Sequence, residues 1–233
     1  MEQSQEISGK NIIRVIIADD HPLVHDALRM HLQNESDIQI IGDANDGEEA
    51  VSMAAELKPD LIIMDITMPK LNGLEATRKI KAQNPDIEIL VLTVHDDSEY
   101  ILKILEAGAA GYLTKTILGE NLVRAMRSIM DGDSILSEKI MGKLLRHALR
   151  YPEEEKNPEL EERLSLREIE IFKLAAKGLK NKEIAQQLDL NLRTIKGYLA
   201  SVYAKLNVNS RTEAVITGLR SGLLTMEDIS PEK

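Results

Sequence analysis

The stretch that most restricts what this 233-residue chain can become is LIIMDITMPKLNG, residues 61–73. Its four consecutive apolar side chains leave no polar face, which predicts a strand buried on both sides, as inside a parallel sheet. The run stops on one carboxylate, Asp65, and a turn signal (Met68-Pro69) and a helix start (Asn72-Gly73) follow at once. Ligands of open α/β sheets bind outside the carboxyl ends of such strands. Asp65 therefore stands where chemistry would be done.

The flanking sequence repeats the same unit. Apolar runs at 12–18, 37–42, 87–94 and 109–113 alternate with helical patterns at 22–32, 47–57, 73–82, 98–107 and 119–130. Proline at position 22 suits the first turn of the first helix. Five strand–helix pairs predict an α/β domain over residues 11–131: a flavodoxin-like, doubly wound, five-stranded parallel sheet. No glycine-rich loop follows the first strand, which argues against a nucleotide-binding P-loop or dinucleotide fold.

The net charge of −10 hides an asymmetry, since residues 11–130 carry −9 and residues 164–220 carry +5. Opposite signs predict two domains with different partners. Residues 132–162 read as a connection, with an amphipathic pattern at 137–151 and the acidic, proline-containing PEEEKNPELEE at 152–162. With no cysteine there is no thiolate chemistry. The polar start MEQSQEISGK lacks the pattern of a signal peptide and no apolar run reaches the length of a span, so a cytoplasmic protein without membrane contact is expected.

Asp19, Asp20 and Asp65 fall at the ends of two strands that a doubly wound sheet makes neighbours. Converging carboxylates repel unless a cation or a shared proton intervenes. An all-oxygen donor set points to Mg²⁺, which keeps waters and bridges to phosphoryl groups. Lys115 and Thr93, at two other strand ends, supply an ammonium and a hydroxyl suited to a phosphoryl oxygen. Together these are the parts needed to form an aspartyl phosphate. His21, His25 and His95 fit surface or hydrogen-bonding roles better than metal ligation.

Residues 163–225 predict an all-α, four-helix unit. Ser165 and Glu168 form a capping box with Leu164 and Ile169 as its hydrophobic staple, and Gly178 is a natural stop. Asn181 caps a short helix, and Ser210 with Glu213 opens the last one at 212–221. Between them, residues 192–206 carry a buried stripe of Ile195, Leu199, Val202 and Leu206. Arg193, Lys196, Gly197, Ala200 and Lys205 lie largely outside it. Lys182, Thr194 and Arg211 are placed for phosphate contacts. A tight turn between the middle helices suggests a helix-turn-helix.

Two resemblances follow from these motifs. The ADD pair, MDITMPKLNG, the TVH strand end and GYLTK resemble the receiver domain of two-component response regulators. That resemblance implies Asp65 as phosphoacceptor, Mg²⁺ held directly by Asp20 and Asp65, by Asp19 through water and by the Thr67 carbonyl, Lys115 on the phosphoryl group, and Thr93 with Tyr112 as a switch pair. It also implies a sensor histidine kinase as phosphodonor. Thr116 departs from the proline common after that lysine. LSLREIEIFKLAAKGLKNKEIAQQLDLNLRTIKGYLASVYAKLNVNSRTEA resembles the LuxR-type helix-turn-helix, and the pair of domains marks the NarL/FixJ subfamily. This implies double-stranded DNA as partner, with residues 192–206 in the major groove, Lys196, Gly197 and Ala200 facing bases, and a homodimer supported by the last helix. Tyr198 stands where the family has histidine, and Ala200 offers no hydrogen bond. The expected protein is a regulator rather than an enzyme. The rival readings are a regulator that works without phosphorylation, its receiver serving only protein contacts, and an α/β hydrolase using Asp65 as nucleophile.

Overall fold

The computed structural model describes residues 12–93, 98–115, 120–135 and 163–229. The readings of residues 1–10, His95, Thr116, the pattern at 137–151 and the acidic stretch at 152–162 lie outside the described residues. Strands β1 (Ile13–Ala18), β2 (Ile38–Ala44), β3 (Leu61–Met64), β4 (Glu88–Thr93) and β5 (Gly111–Thr114) form one parallel sheet in the order β2-β1-β3-β4-β5. Progression reverses between β1 and β3, which opens a crevice at their carboxyl ends.

Alternation along the strands splits the core in two. Val15, Ile17, Leu61, Ile63, Leu90 and Leu92 pack with α1 (Pro22–Leu32) and α5 (Glu120–Met130). Ile16, Ala18, Ile62, Met64 and Val91 pack on the other face with α2 (Gly47–Leu57), α3 (Gly73–Gln83) and α4 (Ser98–Glu106). All four residues of β3 are buried, as its sequence requires. β5 begins two residues later than its apolar run, because the Ala109 N–H donates to the Ile104 carbonyl (3.2 Å) and closes α4 instead.

The C-terminal unit holds α6 (Leu166–Ala176), α7 (Asn181–Gln187), α8 (Leu192–Leu206) and α9 (Arg211–Arg220) around two apolar clusters. Ser165 and Glu168 make the full capping box. Two details differ from the sequence reading. Asn181 is the first residue of α7 and not its cap, because its side chain is spent elsewhere: its Nδ2 donates to the Asp131 carbonyl at 2.6 Å. Glu213 bonds the Asn209 N–H (2.7 Å) rather than Ser210, so the second box is only half formed.

The two units touch along α4 and α9. Ile216 of α9 joins the receiver-side cluster that contains Tyr112, and Arg220 donates to Glu106 at 2.5 Å. Lys81, buried at 3% exposure, donates from α3 to the Asn209 carbonyl (3.3 Å). No helix among the described residues is long and apolar enough to cross a membrane.

Glu168 does more than cap. Burial alone pushes its carboxyl up, but hydrogen bonds from Lys205 (2.7 Å), Ser201 (2.6 Å) and Ser165 together hold it at about 2, against an ordinary 4.5. A depressed carboxyl stabilises the fold above its unfolded value and loses that contribution as pH falls through the folded value. Glu168→Gln is therefore expected to cost the helical domain roughly 2–3 kcal/mol at neutral pH. Urea melts should show the deficit shrinking between pH 4.5 and about 2; a pH-independent deficit would assign the loss to packing.

Candidate functional site

The strand order sets four side chains in sequence along the carboxyl edge of the sheet: Asp19 after β1, Asp65 after β3, Thr93 ending β4 and Lys115 after β5. Backbone bonds fix the row. The Asp65 N–H donates to Ala18 (2.8 Å), and the Lys115 N–H donates to Thr93 (2.8 Å). Gly73 closes the floor, where a Cβ would sit 2.1 Å from the Asp65 carbonyl oxygen; only glycine lets α3 start this close.

The Lys115 ammonium lies 2.6 Å from Asp19 and 3.2 Å from Asp65, with both carboxylates buried. Burial, foremost, and the neighbouring Asp19 raise the Asp65 carboxyl above its ordinary value, against the opposing pull of Lys115. Asp20 projects outward, and the exposed His21 imidazole rests on it at 2.7 Å and on Asp19 at 3.2 Å. Ligand atoms of Asp19, Asp20, His21 and Asp65 all lie within 4.8 Å of one another. An oxygen-rich, net-negative cluster relieved by an ammonium and an imidazole is a donor set that fits a hard divalent cation. Thr67 lies two residues beyond Asp65 on the exposed part of the same loop.

Thr93 is fully buried and Tyr112 nearly so. Alternation puts Thr93 on the face of Val91, the face on which Tyr112 packs with α4 residues and Ile216. The hydrogen-bonding role expected of His25 is met beneath the acidic loop, with partners that the sequence did not name. His25 on α1 is buried, with Nε2 2.7 Å from the Asp19 carbonyl and Nδ1 3.0 Å from Asp43. Burial pushes the Asp43 carboxyl up, but Arg29 and His25 outweigh it and hold it low. The only available signal was a polar residue inside the apolar stripe of α1.

On α8 the buried stripe is Ile195, Leu199, Val202 and Leu206, as its spacing requires. Arg193, Gly197 and Ala200 are exposed, and a Cβ at Gly197 would meet nothing within 4 Å. Lys182 and Lys196 face the receiver carboxylate Asp131 at 3.1 and 3.7 Å. The Thr194 hydroxyl donates to the helix cap Asn191 (2.8 Å). Tyr198 packs beside the helical core. The readings of Lys205 and Arg211 as DNA contacts meet a different geometry. Lys205 is bound to Glu168, while Arg211 is 7% exposed, donating to the Leu179 carbonyl (2.8 Å) and to Asn181. Both are held as internal ties of the helical domain.

The family model of the response regulator receiver domain matches residues 15–127, and that of bacterial regulatory proteins of the luxR family matches residues 162–217. The chain is 34% identical to the transcriptional regulatory protein DegU of Brevibacillus brevis, over 92% of this chain and 96% of that one. It is 38% identical to LiaR of Bacillus subtilis, over 91% and 100%. This protein belongs to the response regulators, in the NarL/FixJ type with a LuxR-type DNA-binding domain. A structure of the Salmonella typhimurium response regulator RcsB is similar at a TM-score of 0.53 and 27% identity, covering 85% of this chain and 93% of that one. A second RcsB structure, of two dimers bound to two parallel DNAs, has the same score and identity over 91% and 99%. Receiver domains generally bind Mg²⁺ at the acidic pocket, and this response regulator carries the aspartate cluster for it.

The raised carboxyl gives a direct check. A carboxyl whose folded pKa lies above the unfolded 3.8 stabilises the fold at low pH and loses that contribution as pH rises through the folded value. Asp65→Asn should therefore stabilise the metal-free protein at pH 7 by about 0.5–2 kcal/mol, a gain typical of relieving a strained functional site. The gain should fade on acidification. Thermal melts of both proteins at pH 7 and near pH 4 would show it, and equal Tm values at pH 7 would remove the strain argument.

Proposed function

We propose that Asp65 is the phosphoacceptor of this response regulator and that its phosphorylation controls dimeric binding to double-stranded DNA. The observation that carries the reading is the convergence of Asp19, Asp65 and Lys115 on one edge of the sheet. The donor is a sensor histidine kinase in the cytoplasm, attacked at phosphorus by an Asp65 oxygen as the phosphorus–imidazole bond breaks. Bound through Asp20, Asp65, Asp19 and the Thr67 carbonyl, Mg²⁺ would neutralise charge on carboxylates and phosphoryl oxygens. The protein is a regulator, and the phosphoryl group is its signal rather than a turnover intermediate.

Transmission follows the buried face. Lys115 exchanges its carboxylate partners for a phosphoryl oxygen, and the Thr93 hydroxyl moves to the same group. A hydrogen bond to a charged group is worth roughly 1.5–3 kcal/mol, whereas near-complete conversion of a two-state element needs about 5.5 kcal/mol. Thr93 therefore acts with Lys115, the metal and dimerisation. Tyr112 follows Thr93, and the residues that cover it belong to α4 and to Ile216 of α9. Loosening that seat frees α9 for dimerisation; the related RcsB is found as dimers bound to DNA. Arg193, Lys196, Gly197 and Ala200 then present α8 to the major groove, with Lys182 and Thr194 toward the backbone.

Incubation with a small acyl phosphate tests the chemistry. Label should enter the wild type only with Mg²⁺ and should not enter Asp65→Ala. Label on the variant, or none on the wild type, would sink the mechanism.

A further inference from the structure

We propose that His25, backed by Asp43 and Arg29, is a positioning residue for phosphotransfer: through the Asp19 peptide it sets how the Asp19–Asp20 corner offers its carboxylates to the metal. This rests on the reading of Asp65 and Mg²⁺ above and adds to it residues of α1 and β2 that carry no ligand or phosphoryl role there. The corner is short, because β1 ends at Ala18 and α1 begins at Pro22. Each polar group of Asp19 is committed. Its N–H donates to the Ala44 carbonyl (3.0 Å), one carboxylate oxygen accepts from the His21 N–H (3.0 Å), and the other lies 2.6 Å from the Lys115 ammonium. Its carbonyl faces His25 Nε2 at 2.7 Å. A carbonyl only accepts, so Nε2 carries the hydrogen of that bond.

Asp20 is held differently. It is exposed, and its carboxylate rests on the exposed His21 imidazole at 2.7 Å. Its direction is therefore inherited from the backbone. The peptide joining Asp19 to Asp20 is planar. His25 holds the oxygen of that peptide, while β2, through Ala44, holds the N–H of Asp19. Release of the oxygen lets the peptide turn about its two flanking bonds. Asp20 then swings while the pairing of β1 stays in place.

The ring of His25 is itself locked. It lies in the buried stripe of α1 with Leu28 and Leu32, where an aliphatic side chain would fill the space without needing partners. A buried imidazole needs them, and both nitrogens have one. Nδ1 is 3.0 Å from one oxygen of Asp43, near the end of β2. Arg29, one turn further along α1, donates to the other oxygen. Burial pushes the Asp43 carboxyl up, and the bonds from Arg29 and His25 bring it below its ordinary value, so it stays an acceptor. Turning the ring breaks both of its bonds at once. Groups placed behind a metal's ligands orient them, and removing one typically costs about 10- to 100-fold in metal affinity. His25 acts through a backbone oxygen, which places its effect near the lower end, about tenfold.

The test titrates Mg²⁺ into the full, unphosphorylated chain by calorimetry and follows label uptake from a small acyl phosphate across Mg²⁺ concentrations. His25→Phe keeps a ring and removes both bonds. It should raise the Mg²⁺ Kd, and the Mg²⁺ needed for half-maximal uptake, about tenfold, with the rate at saturating Mg²⁺ within about threefold of wild type. Asp43→Asn still offers Nδ1 an oxygen and should raise Kd by about threefold or less. If His25→Phe fails to fold, Asp43→Leu, which offers none, carries the comparison at close to tenfold, roughly the same effect. Leu28→Ala, in the same buried stripe, leaves a cavity and should lower Tm while shifting Kd by less than about twofold. A Kd for His25→Phe within about twofold of wild type, with wild-type binding and uptake intact, would overturn this inference alone. An equal rise in Leu28→Ala, or a fall in the saturated rate at unchanged Kd, would overturn it too. Absence of Mg²⁺ binding and of uptake in the wild type would overturn the phosphoacceptor reading with it.

Discussion

The structure depends on one ammonium placed between two buried carboxylates. Asp19 and Asp65 are delivered by adjacent parallel strands, whose pairing holds their backbones side by side. Lys115 reaches both from the far side of β4 and makes the arrangement tolerable without making it comfortable, since the Asp65 carboxyl is still pushed up by burial. A site in this condition favours added positive charge and favours giving Lys115 a more strongly charged partner. The strain is stored where the chemistry needs it.

The same face connects that strain to the DNA-binding unit. Thr93 and Tyr112 lie on the side of the sheet where α4 packs, and α4 is the seat of α9. A rearrangement at the strand ends therefore reaches the second domain through contiguous packed side chains, with Ile216 as the point of contact. That continuity supplies a physical route; coupling energy along it would be established by variants at Thr93 and Ile216.

Much of this was legible in the chain because it is periodic or terminal. The apolar run at 61–64 could only be a doubly buried strand, and the 4-3-4 spacing from Ile195 to Leu206 could only bury one stripe of α8. Strand ends in a parallel sheet share an edge, so five residues far apart in sequence could be placed together. Partnership between elements left no such trace. Asn181 has the residue type of a cap, yet Asp131, 50 positions away, claims its side chain. Lys205 lies on the basic side of its helix, and only the fold brings Glu168 of α6 beneath it. Arg211 reads as a surface cation and is buried by the chain that folds over it.

The interface between the units is suited to a switch because it is polar. Lys81 is buried with its ammonium on the Pro85 and Asn209 carbonyls and 3.4 Å from Glu88. Burial raises the carboxyls of Glu88 and Glu213 above their ordinary range. Each of these groups regains hydration when the domains part, which offsets much of what is lost in Ile216 packing and in the Arg220–Glu106 pair. Desolvated charges give little net stability even when paired, and such interfaces allow domain motion by default. An interface built from apolar residues alone would lose more on parting, because exposed apolar surface regains no comparable hydration.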